Sequence, residues 1–175
     1  VATCLCQQAL EPAQVHALYI DTGLMRENET QEIEAMFEDQ GVTQLNVISA
    51  QAEFLANLAG VIDPEAKRRI IGTTFIEVAN REITALGLAS DDTLLCQGTL
   101  YTDLIESGKG CGDQAAVIKT HHNVNPPVVE EKRARGLIVE PNREIFKDEV
   151  RRVGELLNLP KDMVWRHPFP GPGLA

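Results

Sequence analysis

Short apolar segments alternate along this chain with longer segments in which apolar residues recur at helical spacing. Residues 15–20, 94–97 and 137–139 are mainly apolar segments of strand length, and residues 44–49 alternate between polar and apolar as a strand does. Because strands connected through helices pair in parallel, the alternation predicts an α/β fold with a parallel sheet flanked by helices on both faces. Ligands of such sheets bind beyond the carboxyl ends of the strands.

The longest helix has recognisable start and stop signals. Asp63 is suited to the N-cap and Pro64 to the first helical position, and Gly87 follows Leu86, the last apolar residue of the pattern. The sequence therefore predicts a helix from Pro64 to about Leu86. Further helices are predicted over residues 1–10, around 33–41 and over 145–157.

Composition and charge exclude several classes of protein. With 175 residues, the chain has the length of one domain, residues 1–175. Its net charge of -10 argues against nucleic-acid binding, and it has no apolar run of about eighteen residues, so neither nucleic acid nor a membrane is an expected partner. Its four cysteines lack CxxC spacing, which predicts reduced thiols in a cytoplasmic protein.

Residues 167–174 have a composition that neither a helix nor a strand can use. They read HPFPGPGL. Each proline fixes its φ angle and removes an amide donor, so the amides of Gly171 and Gly173 are expected on a stiff, open loop that an anion can reach. A proline-rich linker is the alternative.

A second polar segment lies between the third and fourth predicted strands. The run IKTHHN contains Lys119, His121, His122 and Asn123. The surrounding residues, 107–127, are too numerous for an ordinary connection, so we expect a lid. Neighbouring histidines point in opposite directions in an extended chain, which disfavours a shared metal, and a solvated polar loop is the alternative.

Charged side chains on two predicted helices suit a phosphorylated ligand. Asp103 and Glu106 are three positions apart, which places both carboxylates on one face of a short helix, oriented towards magnesium and a polyphosphate. Arg68 lies in the first turns of the long helix, where its planar guanidinium can hold two phosphate oxygens. Solvated acids and a solvated helix face are the respective alternatives.

Polar residues also follow two predicted strands directly. Asp21 and Gly23 come after the first strand, and Gln97, Gly98 and Thr99 come after the third. Carboxyl ends of parallel strands are where ligands of this fold class bind. The position is common to many α/β proteins, so by itself it does not identify the ligand.

Taken together and in this order, the motifs resemble those of the ATP-pyrophosphatase domain of GMP synthetases. They read KRRIIG from residue 67, QGT from residue 97, DLIES from residue 103, IKTHHN from residue 118 and HPFPGPGL from residue 167. The resemblance covers essentially the whole chain. It implies the fold of the adenine nucleotide alpha hydrolases, with ATP and magnesium as cofactors.

The resemblance also implies a role for each candidate residue. The implied catalytic residues are Lys119, His121, His122, Asp103 and Glu106, of which Asp103 and Glu106 hold magnesium and the others belong to a lid over the ATP phosphates. The implied nucleotide-binding residues are Ile20, Asp21, Gly23, Gln97, Gly98 and Thr99, with Ile20 offering backbone contacts to the base. The implied residues for xanthosine monophosphate are Arg68, Asn123, Pro170, Gly171, Pro172 and Gly173, with Arg68 against the phosphate.

The implied chemistry is the amination of xanthosine monophosphate to GMP in guanine nucleotide biosynthesis. The O2 oxygen of xanthosine monophosphate attacks the α-phosphorus of ATP, and pyrophosphate leaves. Ammonia from a glutamine amidotransferase domain or subunit then attacks C2 and displaces AMP. The resemblance further implies a homodimer for the full-length protein.

The chain departs from the family pattern in several places. It lacks the pyrophosphate loop Ser-Gly-Gly-Val-Asp-Ser and the first strand before it, and Thr102 stands where proline is usual. It stops at Ala175, where GMP synthetases continue into a dimerisation domain. We therefore expect a fragment that alone neither hydrolyses glutamine nor makes GMP.

Two other functions stay open at this stage. The fold class alone also fits other ATP-pyrophosphatase relatives, such as NAD synthetase, argininosuccinate synthetase or a tRNA-thiolating enzyme. The motifs HPFPGPGL and IKTHHN disfavour these ligases. A non-catalytic nucleotide-binding module fits the missing pyrophosphate loop, with the proline-rich segment as a partner-binding site.

Overall fold

A computed structural model describes the backbone of residues 1–106 and 127–175 and the side chains of residues 1–105 and 131–175. The described residues form two compact units. The first unit comprises Leu10–Thr93 and Phe169–Ala175, and the second comprises Val1–Ala9 and Leu94–Pro168. Each unit contains two parallel strands and the helices that pack around them.

The described helices and strands alternate through most of the chain. In chain order they are α1 (Ala2–Ala9), β1 (Ala17–Asp21), α2 (Glu29–Asp39), β2 (Leu45–Ser49), α3 (Gln51–Leu58), α4 (Pro64–Ala85), β3 (Leu95–Cys96), α5 (Tyr101–Glu106), α6 (Pro127–Ala134), β4 (Ile138–Val139), α7 (Lys147–Leu156) and α8 (Lys161–Val164). A single 3-10 turn, Pro12–Gln14, precedes β1.

The core of the first unit forms where α3 and α4 pack together and α4 packs against β1. Phe54 of α3 and Val78 of α4 have no exposed surface, and both pack with Ile20 of β1. Burying a phenylalanine side chain in this way contributes up to about 3 kcal/mol to folding. A hydrogen bond of 3.0 Å from Asn57 to the buried hydroxyl of Thr74 also joins α3 to α4.

The long helix α4 begins as the sequence predicts. The side chain of Asp63 accepts a 2.7 Å hydrogen bond from the amide of Ala66, and Pro64 occupies the first helical position. At the other end Gly87 has a φ of 72°, a left-handed conformation that glycine adopts without steric cost. The predicted helix over residues 64–86 is therefore confirmed.

The second unit is built around a shorter pair of strands. β3 and β4 run parallel, with Leu95 opposite Ile138. Gly154 of α7 is buried, and a Cβ there would lie 3.1 Å from a methyl group of Val164 and 3.3 Å from one of Val1. Cys4, Cys6 and Cys96 are free thiols, as predicted.

The α/β class and the parallel pairing of strands are confirmed. Each of the four predicted strands is present, although β3 and β4 have only two residues each. Within residues 1–106 and 127–175, however, the strands form two two-stranded sheets where one sheet was predicted. Across the same residues, each helix is too short or too polar to cross a lipid bilayer.

Candidate functional site

The carboxylate of Asp21 fixes the loop that follows β1. One of its oxygens accepts a 2.9 Å hydrogen bond from the amide of Gly23. The other accepts hydrogen bonds of 2.9 Å from the Thr30 hydroxyl and 2.8 Å from the Gln51 side chain. The loop at the carboxyl end of β1 is therefore tied to the first turns of both α2 and α3.

These hydrogen bonds also favour the ionised form of Asp21. Burial alone would raise the pKa of this carboxyl, but the donors of Gly23, Gln51 and Thr30 outweigh burial and hold the pKa below its ordinary value. Its observed contacts are those of a residue that fixes the shape of the loop after β1.

Gly23 is required in this loop for two independent reasons. Its φ of 75° lies in the left-handed region, and a Cβ would lie only 3.0 Å from the Cβ of Gln51.

Ile20, just before the loop, is buried. The backbone carbonyl of Asp21 accepts a hydrogen bond from the amide of Ala50, which follows β2. Because successive residues of a strand point their backbone groups to opposite edges, the amide and carbonyl of Ile20 face the edge of β1 that lies away from β2.

The terminal loop, residues 169–174, packs directly on the loop after β1. The amide of Leu174 donates a 2.9 Å hydrogen bond to the carbonyl of Leu24. Gly173 has a φ of 69°, and a Cβ at this position would collide with that same carbonyl. Of the predicted substrate residues Pro170, Gly171, Pro172 and Gly173, the structure therefore places Gly173 against Leu24, which directly follows the predicted nucleotide residue Gly23.

Arg26 makes a further contact between these two loops. Its guanidinium carbon lies 4.4 Å from the centroid of the Phe169 ring, a cation–π arrangement. The same guanidinium lies 3.4 Å from a carboxylate oxygen of the buried Glu29. The one feature of the sequence that marks Arg26 is that no other lysine or arginine precedes Lys67.

Arg68 lies at the surface near the start of α4. Its guanidinium forms a 2.7 Å ion pair with Glu65, and both side chains are about half exposed, at 52% and 56%. An exposed pair of this kind contributes little to stability. The guanidinium therefore remains accessible to a phosphate, and its predicted role remains a prediction.

In the second unit, predicted site residues follow β3. The amide of Gln97 extends the strand ladder by a 2.9 Å hydrogen bond to Val139. After Gly98, the Thr99 hydroxyl donates a 2.6 Å hydrogen bond to Glu140, the residue that follows β4. The carboxyl ends of β3 and β4 are thus connected through side chains that lie just beyond the two strands.

The sequence analysis did not select Glu140, yet this residue has the most ionic contacts of any carboxylate described in the second unit. Its side chain is only 6% exposed and forms a two-point ion pair with Arg133, at 3.0 and 3.1 Å, and a 3.2 Å pair with Arg143. Burial raises its pKa, but Thr99 and the arginines outweigh burial and lower the pKa. The strand-end rule that selected Asp21 would also have selected Glu140.

Asp103 lies in the first turn of α5. One of its carboxylate oxygens accepts a 2.8 Å hydrogen bond from the amide of Leu100, and residues 1–105 and 131–175 show no hydrogen bond to the other oxygen. Within the residues described, no group of three or more His, Cys, Asp or Glu side chains could hold a metal by itself. Magnesium nevertheless fits here, because it commonly binds through one or two carboxylates and the phosphates of a substrate.

The remaining predicted residues lie outside what the structure describes. Glu106 ends α5, but its side chain is not among those described. The lid residues Lys119, His121, His122 and Asn123 fall within residues 107–126. Their assigned roles stay predictions.

The described fold and loops define the class: an α/β protein with parallel strands and candidate ligand loops at the carboxyl ends of those strands. No family model matches the chain. It is similar, however, to proteins named GMP synthase (glutamine-hydrolyzing). It is 49% identical to the one from Thermobifida fusca, in a match that covers 100% of this chain and 33% of the relative.

Two further relatives carry the same name. The chain is 51% identical to the protein of Nitratidesulfovibrio vulgaris, over 93% of this chain and 30% of the relative. It is 49% identical to that of Candida albicans, over 91% of this chain and 30% of the relative. The chain spans about a third of the length of the curated relatives it matches, and the resemblance to GMP synthetases is confirmed.

Proposed function

We propose that this chain is the part of a GMP synthase that activates xanthosine monophosphate. The whole protein would aminate xanthosine monophosphate to GMP through an adenylated intermediate and release AMP and pyrophosphate. The observation that carries the proposal is the identity of 49% over the full length of the chain to a protein of that name. Glutamine would supply the ammonia through an amidotransferase domain or subunit.

The finer fold is also part of the proposal. We propose the ATP-pyrophosphatase fold of the adenine nucleotide alpha hydrolases for this domain. Two features support it: both described strand pairs are parallel, and helices lie between the strands along the chain. A cytoplasmic homodimer is proposed for the whole protein on the resemblance alone.

The roles of individual residues are proposed on the resemblance to GMP synthetases. The loop after β1, with Asp21 and Gly23, and the segment Gln97–Thr99 would bind ATP. The terminal loop and Arg68 would bind xanthosine monophosphate, the latter through its phosphate. Lys119, His121, His122 and Asn123 would cover the reacting phosphates, and Asp103 and Glu106 would hold magnesium.

These residues would act mainly by orientation and by charge. Magnesium would neutralise negative charge on the ATP phosphates. The hydrogen bonds of Asp21 preorganise the loop after β1 before any ligand arrives, so less conformational freedom is lost on binding. The contact between that loop and the terminal loop would bring the two nucleotides next to each other, which favours in-line attack on phosphorus.

The test is pyrophosphate release by the full-length protein. With ATP, magnesium and glutamine present, release should require xanthosine monophosphate and should not respond to the acceptors of other ATP-pyrophosphatase ligases. Arg68→Ala should raise the KM for xanthosine monophosphate by about tenfold or more, because a charged hydrogen bond to phosphate is lost. Arg81→Ala, which removes a similarly exposed, ion-paired arginine from the same helix, is the matched control.

Two results would contradict the proposal. Release that depends on another acceptor would favour a different ligase of the same fold class. Binding of ATP without any turnover in the presence of every proposed substrate would favour a non-catalytic nucleotide-binding module.

A further inference from the structure

We propose that Arg26 is a positioning residue that holds the terminal loop on the loop after β1 and thereby couples binding of the two nucleotides. The coupling rests on the proposed function, whereas the positioning does not. Arg26 lies in the first unit together with both loops. Arg26 is not among the site residues predicted from the sequence.

The first step is that Arg26 holds Phe169, the residue at which the terminal loop begins. The guanidinium carbon lies 4.4 Å from the centroid of the Phe169 ring. A planar guanidinium can stack on an aromatic face and still form an ion pair through its edge. A lysine ammonium at this position would keep the charge but would lose the planar stacking.

The second step is that the two loops also meet at the other end of the terminal loop. The Leu174 amide donates to the Leu24 carbonyl at 2.9 Å, and Gly173 approaches that carbonyl too closely for any side chain. The terminal loop is therefore held at both ends, by Arg26 at one and by Leu24 at the other. The segment between these contacts is the predicted binding segment for xanthosine monophosphate.

The third step is that α2 connects Arg26 to the predicted ATP loop. Glu29, which is 5% exposed, accepts from the Arg26 amide at 3.0 Å and pairs with its guanidinium at 3.4 Å. The next residue, Thr30, donates its hydroxyl to Asp21 at 2.9 Å. Two consecutive residues of one helical turn thus fix Arg26 and Asp21 relative to each other.

A ligand that restricts the remaining motion of the Asp21 loop should therefore restrict the motion of the terminal loop as well. Each nucleotide then strengthens binding of the other, and thermodynamic linkage requires the two effects to be equal. For a two-substrate reaction this arrangement favours the complex in which both substrates are present. Arg26 need not touch either substrate for this effect.

The test measures binding of xanthosine monophosphate to the full-length protein, with and without a non-hydrolysable ATP analogue. In the wild type the analogue should tighten binding by about fivefold or more. In Arg26→Lys that factor should fall by about twofold or more, since only the contact between Leu24 and Leu174 then joins the two loops, with affinity for the analogue alone changed by less than about twofold. Phe169→Leu should lower the coupling factor by the same amount. The double variant should lower it no further, because either substitution alone removes the contact between Arg26 and Phe169.

A matched control is available in the second unit. Arg151 lies 5.0 Å from the centroid of the Trp165 ring, so Arg151→Lys removes the same type of contact from residues of that unit alone. It should leave the coupling factor unchanged. An unchanged coupling factor in Arg26→Lys would overturn the proposed coupling.

Amide hydrogen exchange separates this inference from the proposed function. If Arg26 positions the terminal loop, Arg26→Lys should speed exchange of the Leu174 amide without ligand present, and Arg151→Lys should not. Unchanged exchange at Leu174 would overturn the positioning role. Failure of the wild type to bind xanthosine monophosphate would contradict the proposed function and the coupling, while the exchange result would still decide the role of Arg26.

Discussion

Two carboxylates, Asp21 and Glu140, show how single residues organise the described loops. Each directly follows or ends a strand, each accepts several hydrogen bonds, and in each case these bonds lower the pKa despite burial. Asp21 could be predicted from its position after an apolar run. Arg26 could not, because its partner Phe169 lies at the other end of the sequence and no local pattern connects them.

The lowered pKa of Glu140 predicts a loss of stability in acid. Because the folded pKa lies below the ordinary value of 4.5, the ionised contacts stabilise the fold above that pH and are lost as the pH falls through the folded pKa. Glu140→Gln should cost about 3 kcal/mol at neutral pH, since it removes the buried carboxylate that pairs with both Arg133 and Arg143. Its stability should then vary less with pH below 4.5 than that of the wild type.

Chemical denaturation at several pH values measures both effects. Glu131→Gln is the control, because Glu131 is 70% exposed and lies 3.9 Å from Arg135. It should change stability by no more than about 0.5 kcal/mol. An equal change in the free energy of unfolding for the two substitutions at neutral pH would show that the buried ion pair contributes no more to stability than the exposed one.

Gly173→Ala should release the terminal loop. Alanine is strained at a φ of 69°, and its Cβ would collide with the Leu24 carbonyl. Gly41→Ala is a matched control, since Gly41 has a φ of 71° but a Cβ there would have no neighbouring atom within 4 Å. Both should lose about 1 kcal/mol from backbone strain, but only Gly173→Ala should speed amide exchange at Leu174. Equal exchange in the two variants would contradict the described packing.

Secondary-structure elements were predictable where their ends carry side-chain signals. α4 has Asp63 and Pro64 at its start and was predicted almost to the residue. α3 was missed, because it begins two residues after β2 ends, at Gln51, and its N-cap residue Ala50 makes no side-chain hydrogen bond. The main sequence signal of α3 is Phe54, which can be recognised as a core residue only once α4 is seen to pack against it.

The N-cap of α4 provides a prediction at the scale of one element. Asp63→Ala should destabilise the protein by about 1 kcal/mol, because the Ala66 amide loses its acceptor. Asp63→Asn should retain most of the stability, since asparagine is an equally good cap. Asp92→Ala, which replaces an exposed aspartate, should change the free energy of unfolding by less than about 0.5 kcal/mol.

Denaturant titration distinguishes these three variants. A loss for Asp92→Ala as large as that for Asp63→Ala would mean that the effect comes from net charge and not from the cap.

At the scale of the molecule, local patterns predicted the strands but not how they assemble. Each strand was located from its apolar residues, and parallel pairing followed from the helices between strands. Which strands share a sheet depends on contacts between residues far apart in sequence, and β3 and β4 are too short to carry a pattern that specifies their neighbours. The proposed ligands likewise rest on the combined motifs, since strand-end residues alone fit many α/β proteins.

The central claim, that this chain serves to adenylate xanthosine monophosphate, is tested most directly by following one oxygen atom. Full-length protein would be given ATP, magnesium, glutamine and xanthosine monophosphate labelled with oxygen-18 at O2, and the products would be analysed by mass spectrometry. Attack of O2 on the α-phosphorus predicts that the label appears in AMP. Label found only in water or in pyrophosphate would contradict the account.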